Sequence, residues 1–152
     1  MSTMRLWHKD LVPVLPRKQL LSQWRECCAI ASNIVNKGTP NHILVNKVLC
    51  YPIDNFNAYC KMVMMEMSRR GYIVSESVVT ILFNNIETIR DRLGYTATKQ
   101  PEVLFEDWHN ERYFWQCYFN LQEKYDCDGI TKEEWLPIEE KATDRLSNKV
   151  NT

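Results

Sequence analysis

Apolar side chains recur every three or four positions along most of this chain, the spacing of one helix face. The four glycines each fall where such an apolar segment ends, as helix C-terminal glycines do. The pattern predicts helices at about residues 17–36, 54–70, 76–93 and 102–124, with a last helix after 131. We therefore expect an all-α fold, a compact single-domain bundle of about four to five helices over residues 1–152.

The predicted helices have recognisable ends and faces. Asp54 is expected to cap the second helix and Ser75 to begin the third. Thr131 and Glu134 have the spacing of a capping box for the last helix. Pro137 would then lie well inside that helix, so the residue at which the helix begins stays undetermined. The side chains predicted to face the core are Leu20, Trp24, Cys27, Ala31 and Ile34, then Phe56, Tyr59, Cys60, Val63 and Met67, then Val78, Leu82, Ile86, Ile89 and Leu93, and finally Phe105, Trp108, Trp115 and Phe119.

One run, residues 42–49, is apolar enough for a strand. Its sequence, HILVNKVL, is ended by Tyr51 and Pro52. Periodicity does not separate a strand from a short buried helix over so few residues, so both interpretations stay open here.

Composition excludes several classes of protein. No apolar run approaches the ~20 residues of a membrane span, and the first nine residues lack the apolar core of a signal peptide. The six cysteines show no Cys-x-x-Cys pairing, and only three histidines could join them. We therefore expect no metal, no cofactor and no disulfide framework, in a monomeric cytoplasmic protein with reduced thiols.

Charge is divided unevenly along the chain, although the net charge is zero. Residues 1–50 hold seven Lys and Arg against two acidic residues, whereas residues 101–152 hold six against twelve. This asymmetry favours a basic binding end for a polyanion and an acidic tail. Chance clustering on a neutral surface is the alternative.

Glu26 is one of only two acidic residues in the basic part, the other being Asp10. On a helical wheel it lies outside the apolar stripe, and so is predicted to face away from the core. Its neighbours one or two turns away on the same face, Ser22, Ala29 and Asn33, are small and leave room for a ligand beside the carboxylate. An ordinary solvated glutamate is the competing interpretation.

Four short segments carry a resemblance to a known family. They are MRLWH at 4–8, QLLSQWRE at 19–26, His42, and RRGY at 69–72. With these segments the chain resembles the pyrimidine-dimer DNA glycosylase/AP lyase family of the phage endonuclease V type. The resemblance covers roughly residues 4–75.

The resemblance implies an all-α enzyme that flips a nucleotide out of double-stranded DNA and breaks its glycosidic bond. The family's nucleophile is the N-terminal α-amine, which forms a Schiff base at C1′ of the deoxyribose. By this resemblance Glu26 is the essential carboxylate, Arg5 and Arg25 hold phosphates, and His42 lies near the DNA. Lys9 and Lys47 are expected to add phosphate contacts from the basic end.

Two positions depart from the family pattern. The family carries an arginine three residues after its glutamate, where this chain has Ala29. The family's amine belongs to the residue directly before the arginine, whereas here Met1, Ser2 and Thr3 precede Met4. Removal of Met1 would give the catalytic amine to Ser2, up to ~7 Å further out if extended. Translation from Met4 would restore the family spacing.

Two other functions compete with the enzyme. A helical nucleic-acid-binding protein without chemistry needs only the basic N-terminal third and aromatic residues. An interaction protein would use the aromatic segment 108–119, although core packing explains that segment better. A calcium loop at residues 126–129 is excluded, because alignment on Gly129 puts Trp135 where the last carboxylate ligand is required.

Overall fold

A computed structural model describes residues 5–38, 42–94 and 101–150. Those residues form a short 3₁₀ helix and six α-helices and no strand, so the all-α prediction is confirmed and the predicted count of four to five helices was too low. The elements are the 3₁₀ helix Lys9–Val14, α1 Arg17–Lys37, α2 Ile43–Leu49, α3 Ile53–Arg69, α4 Glu76–Arg92, α5 Glu111–Asp126 and α6 Lys132–Val150. None of the helices in the described residues combines the length and apolar content that a bilayer crossing requires.

Two compact units divide the chain. The first consists of Met1–Leu6 and Leu21–Phe105, and the second of Trp7–Leu20 and Glu106–Thr152. The single-domain organisation stays a prediction.

The faces that periodicity predicts for α1 and α3 are buried. All ten predicted inward side chains of these two helices are buried. In α4 the middle of the predicted stripe is buried, but Val78 and Leu93 at its two ends are 38% and 49% exposed. Helix ends have fewer neighbours than helix centres, and periodicity alone carries no information about where the neighbours stop.

The start of α3 shows why Asp54 is not a cap. The helix begins at Ile53 with Pro52 in the N-cap position, so Asp54 lies inside the first turn. Its carboxylate is buried and pairs with the guanidinium of Arg90 on α4. The prediction of a capping role was wrong because a buried cation from another helix takes the carboxylate instead.

The second unit is built from the 3₁₀ helix, α5 and α6. Arg145 of α6 donates to Asp10 Oδ2 and Glu111 Oε2, at 2.8 Å in each case. The backbone N–H of Lys9 donates to Nδ1 of buried His109 at 3.0 Å. These bonds fix the 3₁₀ helix against the two long helices of its own unit.

Three further predictions concern local elements. Residues 43–49 of the 42–49 run are helical, with His42 in the N-cap position, and α2 resolves the strand-or-helix alternative. The capping box is present, since Glu134 N–H donates to Thr131 Oγ1 and Thr131 N–H donates to Glu134 Oε1, at 3.2 and 3.1 Å. Pro137 is accommodated inside α6.

The predicted helix 102–124 starts too early. Asn110 caps α5 through a 2.9 Å hydrogen bond from the N–H of Tyr113. Before that cap, Phe105 and Asp107 have φ of 51° and 72°, left-handed conformations that a helix does not contain. Phe119, predicted to be inward, is 56% exposed.

Candidate active site

Glu26 lies in the middle of α1, one residue before buried Cys27, and is half-buried itself. Its Oε2 accepts a 2.9 Å hydrogen bond from the backbone N–H of Arg5. The segment that contains Arg5 therefore covers part of the helix face that points away from the apolar stripe. The carboxylate is neither a core group nor a freely solvated one.

The surroundings of Glu26 shift its acidity. Burial raises the pKa of this carboxyl above its usual value, and this effect exceeds the opposing influence of the Arg5 N–H and the Arg5 positive charge. A carboxyl group with a raised pKa exchanges protons more readily at neutral pH than a solvated one.

A second hydrogen bond holds the other side of the Arg5 backbone. Gln23 Nε2 donates to the Arg5 carbonyl oxygen at 2.8 Å. The hydroxyl of Tyr59, on α3, donates to Gln23 Oε1 at 3.0 Å. Both side chains are almost fully buried, at 1% and 0% exposure, so these contacts form in surroundings with little water.

Arg25 is adjacent to Glu26 in sequence but points outward. Its side chain is exposed, and its guanidinium lies 3.5 Å from Ser22 Oγ. An exposed arginine beside a half-buried carboxylate suits contact with a phosphate, since its charge stays available to a polyanion.

A comparison with protein families matches this part of the chain. The model of the pyrimidine dimer DNA glycosylase family matches residues 4–80, just over half of the 152 residues. The chain belongs to the pyrimidine dimer DNA glycosylase family. The resemblance of residues 4–75 is thereby confirmed. No curated protein and no solved structure matches the chain significantly.

Membership of the glycosylase family makes DNA the substrate class and base excision the reaction class. The matched residues include Arg5, Gln23, Glu26 and Tyr59, the four residues joined by the hydrogen bonds above. The roles of individual residues stay predictions.

The other predicted site residues lie elsewhere. His42 precedes α2 and is half-buried, and Lys47 is exposed on α2 with its ammonium 5.6 Å from the ring centre of Tyr51. The four-residue hydrogen-bond network includes neither of them. Lys9 belongs to the second unit, where its N–H donates to His109. Ser2 lies outside the described residues.

Sequence analysis missed Gln23 although a signal was present. Gln23 comes three residues after Leu20 and four before Cys27, so it occupies a position within the buried stripe of α1. A polar amide at a core position requires hydrogen-bond partners. Its partners lie 18 and 36 residues away, and the helical pattern does not identify them.

The described part of the chain contains no candidate metal site. No group of three or more His, Cys, Asp and Glu side chains there is arranged to hold an ion. The six cysteines are free thiols.

Proposed function

We propose that this chain excises a base of a cyclobutane pyrimidine dimer in duplex DNA and then cleaves the strand as an AP lyase. The nucleophile is the α-amine of the chain, at Ser2 or at Met4, which forms a Schiff base with C1′ of the sugar. Glu26 moves the protons that both steps require. Family membership supports the base-excision step.

The observation that carries the proposal is the 2.9 Å hydrogen bond from the Arg5 N–H to Glu26. The Arg5 nitrogen is the atom through which the preceding residue is attached. An α-amine on that residue is at most about 4 Å from the Arg5 nitrogen, because both atoms belong to one backbone repeat. A chain that starts at Met4 therefore brings its amine close to the carboxylate, whereas a start at Ser2 adds two residues.

The α-amine and the Glu26 carboxyl have complementary chemistry. An α-amine titrates near ~7.7–8.0, so a useful fraction of it is neutral and nucleophilic in a cell. The half-buried Glu26, with a pKa raised by desolvation, exchanges protons with the sugar more readily than a solvated carboxylate. Neither group requires a metal or a cofactor.

The reaction proceeds in balanced steps. The neutral amine attacks C1′, the C1′–N bond to the pyrimidine breaks, and the freed ring nitrogen takes a proton while the base stays joined to its dimer partner. Proton transfer to the ring oxygen opens the sugar and leaves a protonated Schiff base. Loss of a proton from C2′ then expels the 3′ phosphate by β-elimination. Glu26 stabilises the cationic sugar and serves as proton donor and acceptor in turn.

The basic N-terminal third supports a phosphate-binding role. Arg25 is exposed next to Glu26, and the backbone of Arg5 is bound to the same carboxylate. Charge-assisted hydrogen bonds to phosphates on both sides of the lesion would hold the strand while the nucleotide is extruded. Lys9, His42 and Lys47 are proposed to extend this contact along the duplex.

Borohydride trapping tests the proposal. The protein is incubated with a duplex that carries one cyclobutane dimer, or one abasic site, and sodium borohydride reduces any Schiff base to a stable adduct. We expect a covalent protein–DNA species with both substrates, and its absence from undamaged duplex. If no adduct forms and no glycosidic bond is cleaved, the enzyme is refuted and a DNA-binding protein remains.

A further inference from the structure

One turn of α1 holds both backbone groups of Arg5. Gln23 and Glu26 are three residues apart, and so lie on neighbouring positions of one helix face. Gln23 binds the Arg5 carbonyl oxygen at 2.8 Å and Glu26 binds the Arg5 N–H at 2.9 Å. The two bonds fix the position of this residue and also the direction of the chain through it, with the N-terminal side at Glu26.

Tyr59 determines which way round the Gln23 amide lies. The amide has one accepting oxygen and one donating nitrogen. Because the Tyr59 hydroxyl donates to Oε1 at 3.0 Å, the NH₂ group faces the Arg5 carbonyl. A flipped amide would set two carbonyl oxygens against each other. Both side chains are buried, so water cannot easily replace either bond.

We propose that Gln23, oriented by Tyr59, is a positioning residue that sets the approach of the N-terminal segment to Glu26. It acts through the Arg5 backbone and does not contact the DNA. The inference rests on the proposed function, in which the α-amine is the nucleophile. Without Gln23, the Arg5 carbonyl oxygen would lose its 2.8 Å bond, and the segment would be freer to pivot about the bond between the Arg5 N–H and Glu26.

A pivoting segment lowers the rate without weakening DNA binding. An error of about 1 Å in the position of a reacting group costs roughly 10²-fold in rate. The phosphate contacts that determine affinity come from cationic side chains and not from Gln23. Gln23→Met keeps the size of the side chain and removes both hydrogen bonds, and Tyr59→Phe keeps the ring and removes the hydroxyl.

The kinetic test measures single-turnover cleavage of the glycosidic bond in a dimer-containing duplex and the Kd for the same duplex. We expect Gln23→Met to lower the rate about 10²-fold and to change Kd by less than about threefold. Tyr59→Phe should lower the rate less, and should add nothing in the Gln23→Met background, because both changes act on one bond. Gln116→Met and Tyr125→Phe, which make the same side-chain changes on α5, serve as matched controls and should keep wild-type rates.

Amide hydrogen exchange at Arg5 tests the same inference without activity. In Gln23→Met the Arg5 amide should exchange at least about tenfold faster than in the wild type, while the amides of residues 27–34 keep their protection. If the wild type cleaves no glycosidic bond, the proposed function fails, and the exchange at Arg5 still decides the positioning role. A wild-type rate in Gln23→Met, an equal loss of rate and affinity, or unchanged Arg5 exchange would overturn the proposal.

Discussion

The carboxylate of Glu26 accepts a hydrogen bond from the backbone N–H of Arg5. Glu26 has the catalytic role by family resemblance. It is thus also hydrogen-bonded to the segment that leads to the proposed nucleophile. Removing the Glu26 side chain would therefore remove both the proposed catalytic carboxylate and the hydrogen bond that holds Arg5. Substitutions that keep the hydrogen bond and change only the charge are the most informative.

Glu26→Gln separates chemistry from structure. The glutamine Oε1 can still accept from the Arg5 N–H, but it cannot exchange a proton with the sugar. We expect glycosidic-bond cleavage and strand cleavage to fall by roughly 10²–10⁴ while DNA affinity is retained. Since burial raises the pKa of Glu26, the ionised form is disfavoured in the folded protein, and the variant should be at least as stable as the wild type at pH 7.

Chemical denaturation and single-turnover kinetics measure both quantities for Glu26→Gln. Glu140→Gln, the same change at an exposed position on α6, is the control and should alter neither. Wild-type turnover in Glu26→Gln would remove this carboxylate from the mechanism.

The basic end should bind duplex DNA through its phosphates. With about five contacting cations, log K should fall with log[salt] with a slope of roughly −4 to −5. Arg5→Ala and Arg25→Ala should each flatten that slope by about one. Fluorescence anisotropy at several salt concentrations gives the slopes, and Lys132→Ala in the acidic C-terminal part is the control. A slope that responds to Lys132 and not to Arg25 would contradict the proposed binding face.

The identity of the amine can be read from the trapped adduct. We expect peptide mass mapping to find the reduced sugar on the first residue of the active species, Ser2 or Met4. Acetylation of the α-amine should abolish trapping, because an amide nitrogen forms no Schiff base, and salt-sensitive binding should persist. A sugar attached to Lys9 or Lys18 would mean that a different nitrogen is the nucleophile.

Two buried histidines predict sensitivity to mild acid. His8 and His109 stack with ring centres 5.3 Å apart in the second unit, and burial lowers their pKa values to about 4 and about 3 from 6.5. The unfolded chain therefore binds more protons than the folded one below pH 6.5. The contribution of these two histidines to the free energy of unfolding should be constant above pH 6.5 and should fall as the pH decreases towards 4.

Urea denaturation at pH 7.5, 5.5 and 4.5 measures this loss. In the double variant His8→Asn/His109→Asn, each Asn oxygen can accept the N–H that the Nδ1 of the histidine accepts, and neither side chain titrates. The decrease between pH 6.5 and 4 should become shallower in that variant. Equal slopes in the two proteins would show that other groups cause the acid sensitivity.

The predictions that succeeded rest on local regularity. The buried stripes of α1 and α3 follow from helical spacing, and the capping box of α6 follows from the types of residues 131 and 134. The early start predicted for α5 failed because the left-handed backbone at Phe105 leaves little trace in the sequence around it. Backbone strain of this kind is imposed by tertiary contacts, such as the 2.8 Å bond from Phe105 N–H to buried Asn55.

In the candidate site, too, the local features were predicted and the tertiary contacts were not. Helical spacing identified Glu26 as lying outside the apolar stripe, and the family resemblance singled it out among the acidic residues. That its carboxylate is half-buried could not be foreseen, since the cover comes from Arg5, 21 residues earlier. A helical wheel describes one helix and contains no information about the segment that crosses it.

The contacts of the 3₁₀ helix have a consequence for synthesis on the ribosome. Lys9 bonds to a residue 100 positions later, and Asp10 to one 135 positions later. Translation adds about 5–20 residues per second, so this early segment waits for several seconds before its partners exist. Every residue of the first unit has been synthesised by position 105, whereas the second unit requires residues beyond that point. The first unit can therefore fold on the nascent chain, and the second can close only near the end of translation.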